Sequence, residues 1–259
     1  MAPPLSAGSF LDALRDEGVT VVEVGAWEHR NRNHKGPWGP VHGVMIHHTV
    51  TKGSAATVKV CRDGHASLPG PLCHGVITKD GRVHLVGYGR ANHAGLGDDD
   101  VLRAVIAEKA PPADNEANTD GNRHFYGYEC ENLGDGRDPW PKAQVEAIVR
   151  ASAALCRRHG WTAASVIRHL DWQPGKVDPR GPGLDWADIH KRVTERLKHP
   201  ASWSPGGTST YTVRRGDTLW SIAAAKLGDR NRWDDIADLN HLKDADEIAI
   251  GQKLKLPKK

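Results

Sequence analysis

Sulfur and phenyl rings are scarce in this 259-residue chain, which has four cysteines, two methionines and two phenylalanines. Cys61, Cys73, Cys130 and Cys156 are scattered and form no Cys-x-x-Cys pair. That excludes a disulfide framework and a thiolate zinc site, so the cysteines are read as buried apolar residues. No apolar stretch approaches the roughly 18 residues a spanning helix needs, and no membrane insertion is expected. Charge of one sign is also lacking: 35 Lys and Arg face 32 Asp and Glu, a net +3. Without a basic stripe there is no footprint for nucleic acid. Met1–Ser6 shows neither the basic patch nor the apolar segment of a secretory signal, so none is visible. The 38% hydrophobic fraction and 28 glycines fit an ordinary globular chain.

What is plentiful is histidine, with 15, and tryptophan, with nine; fourteen of the histidines precede residue 211. The Pro-, Gly- and Ser-rich segment 199–210 has no apolar period and reads as a linker. It divides a domain at 1–198 from a module at 211–259, which is near the lower size limit for independent folding. In the larger part, Ser9 to Glu17 reads as a helix with Ser9 as its N-cap. Val19–Val24 and Val41–Ile46 read as strands, and Gly75–Thr78 and Arg82–Val86 as a hairpin around Asp80-Gly81. His124–Glu131 is a further strand, with Phe125, Gly127, Glu129 and Glu131 on one face. Pro141 opens a helix that ends at Gly160, and an amphipathic helix spans 185–197. The fold class is therefore α/β (α+β), a mixed β-sheet covered by helices.

Val44-Met45-Ile46-His47-His48-Thr49 puts a His pair where an apolar strand ends, a rigid mount beside an accessible loop. Alone, such a pair is as readily explained by packing. Arg168-His169 likewise follows the apolar Val166-Ile167, and the Pro/Gly-rich loop after it could fold back to bring Asp178 beside His169. Two neutral imidazoles and one carboxylate make a three-ligand zinc set with a fourth position open. Hydrolysis also needs a proton carrier, for which Glu129 is available; spacing alone leaves it a solvent-facing strand carboxylate. Trp172 lies in the ligand loop and is a candidate for substrate contact. His42 and His84 are candidates for a groove wall, and Trp140, Trp161 and Trp186 for the core.

Taken in chain order, Ile46-His47-His48-Thr49, Asn92-His93-Ala94-Gly95, Gly127-Tyr128-Glu129 and His169 through Lys176-Val177-Asp178-Pro179 resemble the type-2 N-acetylmuramoyl-L-alanine amidases. That family includes the peptidoglycan recognition proteins, and the resemblance covers roughly residues 20–197. It implies Zn2+ on His47, His169 and Asp178, proton transfer by Glu129, and oxyanion stabilisation by Lys176. It also implies a place for His93 on the border of the substrate groove. Two departures stand out. Cys73 occupies the position before His74 where some members carry tyrosine, which shifts reliance to Glu129. The His169–Asp178 loop is one residue shorter than in the cytoplasmic muropeptide amidases.

From Tyr211 the order strand, helix, helix, strand resembles the βααβ LysM module. Gly216-Asp217-Thr218-Leu219-Trp220-Ser221-Ile222-Ala223, Leu239-Asn240 and Ile250-Gly251-Gln252-Lys253-Leu254 carry that resemblance. The residues alone give Asp217 as a helix cap and 248–256 as an alternating strand. The resemblance implies a glycan groove at Gly216, Asp217 and Thr218, facing residues near Ile248–Ile250. Together the two resemblances imply a bacterial peptidoglycan substrate and a phage endolysin, held in the host cytoplasm until lysis and then acting on the cell wall. A non-catalytic peptidoglycan recognition protein is the alternative.

Overall fold

The computed structural model describes residues 2–203, 209–240, 242 and 244–257. Of the expected linker, residues 204–208 lie outside the described residues. The chain divides into two compact units, Met1–Ser202 and Trp203–Lys259; each is described by itself.

The first unit is built on a six-stranded sheet of β1 (Val21–Glu23), β2 (Gly43–His48), β3 (Gly75–Ile77), β4 (Val83–Leu85), β5 (Phe125–Cys130) and β6 (Val166–Arg168). Their order across the sheet is β1-β4-β3-β5-β2-β6. Only the β3–β4 hairpin is antiparallel, and the other neighbours run parallel. The central strands are buried on both faces, as parallel pairing requires, and β2 is buried along its whole length. On one face, helix α1 (Ala7–Asp16), the long α4 (Lys142–His159) and α5 (Trp186–Leu197) cover a core that includes Phe10, Leu14, Val44, Ile46, Tyr126, Tyr128, Ile148 and Leu155. On the other, α3 (Asp99–Ile106) packs Val101, Leu102 and Val105 onto Met45, Phe125, Ile167 and Trp172. Helix α2 (Ser54–Asp63) contributes Cys61 to a small cluster with Cys73, Val76 and Val86. All four cysteines are buried and free.

Local chemistry explains the helix ends. The cap of α1 is Ser6, whose hydroxyl accepts from the Ser9 N–H, so the expected cap at Ser9 is corrected by one turn. Gly160 in the left-handed region stops α4, whose last turn carries Arg157, Arg158 and His159 against the helix dipole. The fully buried Arg196 of α5 donates to the Glu17 carboxylate at 2.8 Å, and Arg157 of α4 does so at 3.0 Å, which ties three helices together. Removing one partner of such a buried pair leaves the other charge uncompensated.

The second unit has strand β7 (Ser209–Thr212), helices α6 (Leu219–Leu227) and α7 (Trp233–Leu239), and strand β8 (Lys253–Leu256) antiparallel to β7. Val213, Leu219, Ile222, Ile236, Leu254 and Leu256 form its core. Asn240 pins the end of α7 to β8: its side chain donates to the Lys255 carbonyl at 2.7 Å and accepts from the Lys255 N–H at 2.8 Å. The α6 cap is Thr218, paired with Ser221, and not Asp217, whose carboxylate accepts from Tyr211 Oη and the Arg214 N–H. The closing strand is also shorter than the alternation predicts. Residues 248–252 stay outside it, and Ile250 is 70% exposed.

Candidate active site

The C-terminal ends of β2, β5 and β6 converge, the usual place for ligands in an open α/β sheet. His47 is the fifth residue of β2, and His169 follows the last residue of β6 directly. The parallel register sets Glu129 of β5 beside His47. Asp178 reaches the same point because the loop after His169 closes on itself. The Leu170 N–H donates to the Asp178 carbonyl at 2.8 Å, and the Gln173 N–H donates to the His169 carbonyl at 3.2 Å. The far end is anchored by Arg180, which donates to the Gly134 carbonyl. Among the described residues, His47, His169 and Asp178 bring their ligand atoms within 4.8 Å of one another.

The donor triangle is tight. His47 Nδ1 and His169 Nδ1 are 2.9 Å apart, and Asp178 Oδ2 lies 3.4 Å from the first and 3.1 Å from the second. Ligands about 2.0–2.1 Å from a tetrahedral zinc ion are separated by about 3.3 Å, so this set fits such an ion. Burial, and then the neighbouring His169, lower the His47 pKa to about 4, which leaves a neutral imidazole with a lone pair to give. Burial pushes the Asp178 carboxyl up, but the two imidazoles beside it prevail and hold it well below the usual carboxylate range.

The tautomer of His47 follows from its neighbours. His93 Nε2 lies 3.2 Å from the Phe125 carbonyl, which can only accept, so the His93 proton sits there and its Nδ1 is bare. That Nδ1 is 3.1 Å from His47 Nε2, which therefore carries the His47 proton. His47 Nδ1 is left as a lone pair aimed at His169 and Asp178. His93 is in turn seated by Asn122, whose Oδ1 accepts the backbone N–H of His93 and of Ala94 at 2.8 Å. Burial first, then His47 and His74, keep the His93 pKa well below its ordinary value.

Beside the triangle opens a cavity of about 520 Å³ lined by His93, Glu129, His169, Lys176 and Asp178, among others. Glu129 Oε2 is buried there with no hydrogen-bond partner among the described residues. Burial, with smaller contributions from Cys61 and Asp178, raises the Glu129 pKa well above the ordinary glutamate value, and Lys176 partly opposes the rise. A buried carboxyl with a free oxygen beside a candidate metal site is placed to accept and return a proton. Lys176 is exposed at the lip. Cys73, before His74, offers only a buried thiol, pushed up first by burial and then by Cys61.

Other expectations are corrected. Trp172 is fully buried, packs on Phe125 and donates its Nε1–H to the Ala94 carbonyl, so it is core and not a substrate contact. His42 and His84 are absent from the cavity wall. In the second unit, Thr218 lines a recess of about 330 Å³ with Leu219, Trp220, Trp233, Ala245 and Asp246. Of the residues expected at a glycan groove, Thr218 is in that wall, and Gly216 and Asp217 directly precede it in the chain. Trp220 and Trp233 are 49% and 39% exposed there, and the Arg230 guanidinium sits 4.8 Å over the Trp220 ring. Asn122 and Gln173 also belong to the site but carry no local sequence signal, because each acts on a residue placed by the fold.

Residues 37–181 match the family described as N-acetylmuramoyl-L-alanine amidase, and residues 211–257 match the LysM domain. The chain is 28% identical over 172 residues to the N-acetylmuramoyl-L-alanine amidase XlyB of Bacillus subtilis (strain 168), covering 64% of this chain and 53% of that protein. It is 33% identical over 143 residues to XlyA of the same organism, covering 54% and 41%. The chain thus spans about half the length of the curated relatives it matches. Among solved structures, it resembles the endolysin amidase LysCS from Clostridium intestinale URNW at 18% identity and a TM-score of 0.43, covering 67% of this chain and 94% of that one. It also resembles AmiD from E. coli, solved with an anhydromuramyl peptide, at 17% identity and a TM-score of 0.44, covering 62% and 60%.

Proposed function

The chain belongs to the N-acetylmuramoyl-L-alanine amidase family, and from that membership we propose that it is a zinc-dependent hydrolase of bacterial peptidoglycan. The bond cut is the amide between the lactyl group of N-acetylmuramic acid and the L-alanine of the stem peptide. The observation that carries this reading is the convergence of His47, His169 and Asp178 beside the unpartnered oxygen of Glu129. When bound by those three residues, a zinc ion would supply Lewis-acid polarisation of a carbonyl and a water acidified to near-neutral pKa. Glu129 takes the proton of the attacking water and passes it to the leaving amine. Lys176, at the lip, faces the negative charge that develops on the carbonyl oxygen. His93 keeps the lone pair of His47 directed inward and borders the groove.

Residues 1–198 would form the catalytic domain and 199–210 the linker. Residues 211–259 would bind the glycan of the wall around Gly216, Asp217 and Thr218. The recess beside Thr218 and the two exposed tryptophans support sugar binding, since indole faces stack on apolar ring surfaces. Tethering raises the concentration of the catalytic domain at its polymer. A wall-cutting domain joined to a wall anchor suits a lysis enzyme, an endolysin held in the host cytoplasm until the membrane opens. Among the described residues, no helix is long and apolar enough to cross a membrane.

Mass spectrometry of digested peptidoglycan tests the reaction. Free stem peptides beginning at L-alanine, lost with a zinc chelator and restored by zinc, are expected. Intact muropeptides despite wall binding would instead mean a recognition protein, and cut glycan chains would mean a different active site. Truncation after residue 202 is expected to lower co-sedimentation with insoluble wall while leaving the cleavage rate of soluble muropeptides unchanged. An equal loss on both substrates would overturn the anchoring role.

A further inference from the structure

We infer that Gln173 is a positioning residue that fixes His169 in the tautomer a metal ion needs; the inference rests on the zinc reading above. His169 has the same requirement as His47, that its ring proton lie on Nε2 so that Nδ1 is free to face the other donors. For His47 that requirement is met by the bond to His93. On the other side of the triangle, the group within reach of His169 Nε2 is the Gln173 side chain, with Oε1 at 3.3 Å.

The placement follows from the turn. Gln173 comes four residues after His169 and donates its backbone N–H to the His169 carbonyl, so its side chain returns beside the ring it follows. Gly95 backs the amide: a Cβ at that position would lie 3.3 Å from Gln173 Oε1. The residue lines the cavity and is half-buried, so the bond is partly shielded from water.

The two halves are complementary. With both ring protons drawn outward, by His93 on one side and Gln173 on the other, three lone-pair atoms face one another at 2.9–3.4 Å. Such an arrangement is repulsive unless a cation lies among them. Partners of this kind hold a metal-ligating histidine in one tautomer and orientation, and their loss typically weakens metal binding by about 10–100-fold.

Gln173→Met keeps the length of the side chain and removes the acceptor. In the full chain, its zinc dissociation constant, measured by competition with a chromogenic chelator, should rise by about 10–100-fold. Gln173→Glu, which restores an acceptor, should return the affinity to wild type or better. The melting temperature of the metal-free protein should be unchanged in both, which separates positioning from a general structural role. In nitrogen-15 spectra of the zinc-loaded protein, the His169 Nε2 proton should exchange slowly in wild type and quickly in Gln173→Met. Wild-type zinc affinity and slow exchange in Gln173→Met would overturn the inference alone. A wild-type chain that binds no zinc would overturn it together with the metal reading.

Discussion

Glu129→Gln is expected to keep zinc and wall binding while lowering turnover of muropeptides by about 10²–10⁴-fold, the usual contribution of a positioned proton carrier. The amide is nearly isosteric with the carboxyl but cannot take a proton from water. The environment singles out this group: among the described residues Oε2 is buried and unpartnered, and the parallel register puts the residue beside His47. The position that carries tyrosine in some relatives holds the buried Cys73, so no phenol there can share the proton transfer. The pH profile supplies a second signature. Because burial raises the Glu129 pKa, its active carboxylate is lost at a higher pH than for an ordinary glutamate. Activity should therefore fall on acidification above the usual glutamate range, and this acid limb should be missing from the residual rate of Glu129→Gln. Turnover of Glu129→Gln within a few-fold of wild type would remove the residue from the mechanism.

The site was legible in the sequence through short motifs taken in chain order, each mounted on a periodic strand; periodicity alone left the His47-His48 pair open to a packing role and Glu129 a solvent-facing carboxylate. His47 stands at the end of an apolar run, His169 follows another, and Glu129 alternates with core residues along β5; each position depends only on its own strand. The fold-back of the Asp178 loop was suggested by its proline and glycine content. What stayed hidden depends on pairs distant in sequence. Trp172 looked like a loop tryptophan open to substrate, but Gly97 and Gly121 leave room for its ring; an ideal Cβ at either would come within 2.2 and 2.7 Å of it. Asp217 and Thr218 are adjacent and both able to cap, and the Arg214 N–H and the Tyr211 hydroxyl together hold Asp217 to the preceding turn. His93 was expected at the groove, and its second bond, to His47, joins residues 46 positions apart.

That bond makes the smallest change in the strand consequential. Gly127 lies at the middle of β5 with ordinary backbone angles, so its lack of a side chain is not a matter of conformational freedom. The reason is space: a Cβ would stand 2.5 Å from His93 Nδ1 and 2.6 Å from its Cγ. Both atoms are near the base of the buried ring of a residue whose backbone N–H donates to Asn122 and whose Nε2 is held by the Phe125 carbonyl. The backbone is held as firmly, since the Gly127 N–H donates to His74 Nδ1 at 2.9 Å. Gly127→Ala must then displace the ring, the strand or both, at a typical overpacking cost of about 1–3 kcal/mol. Displacing the ring also takes away the acceptor for the His47 proton, so the zinc dissociation constant should rise by at least about tenfold. Gly8→Ala is the matched control: it sits in α1 with no atom within 4 Å of its Cβ, and should be neutral or stabilising by up to about 1 kcal/mol. Thermal melts and chelator competition on the two variants read both effects. If Gly127→Ala melts and binds zinc like wild type, the His93 ring is free to move, and the tautomer of His47 is not set by it.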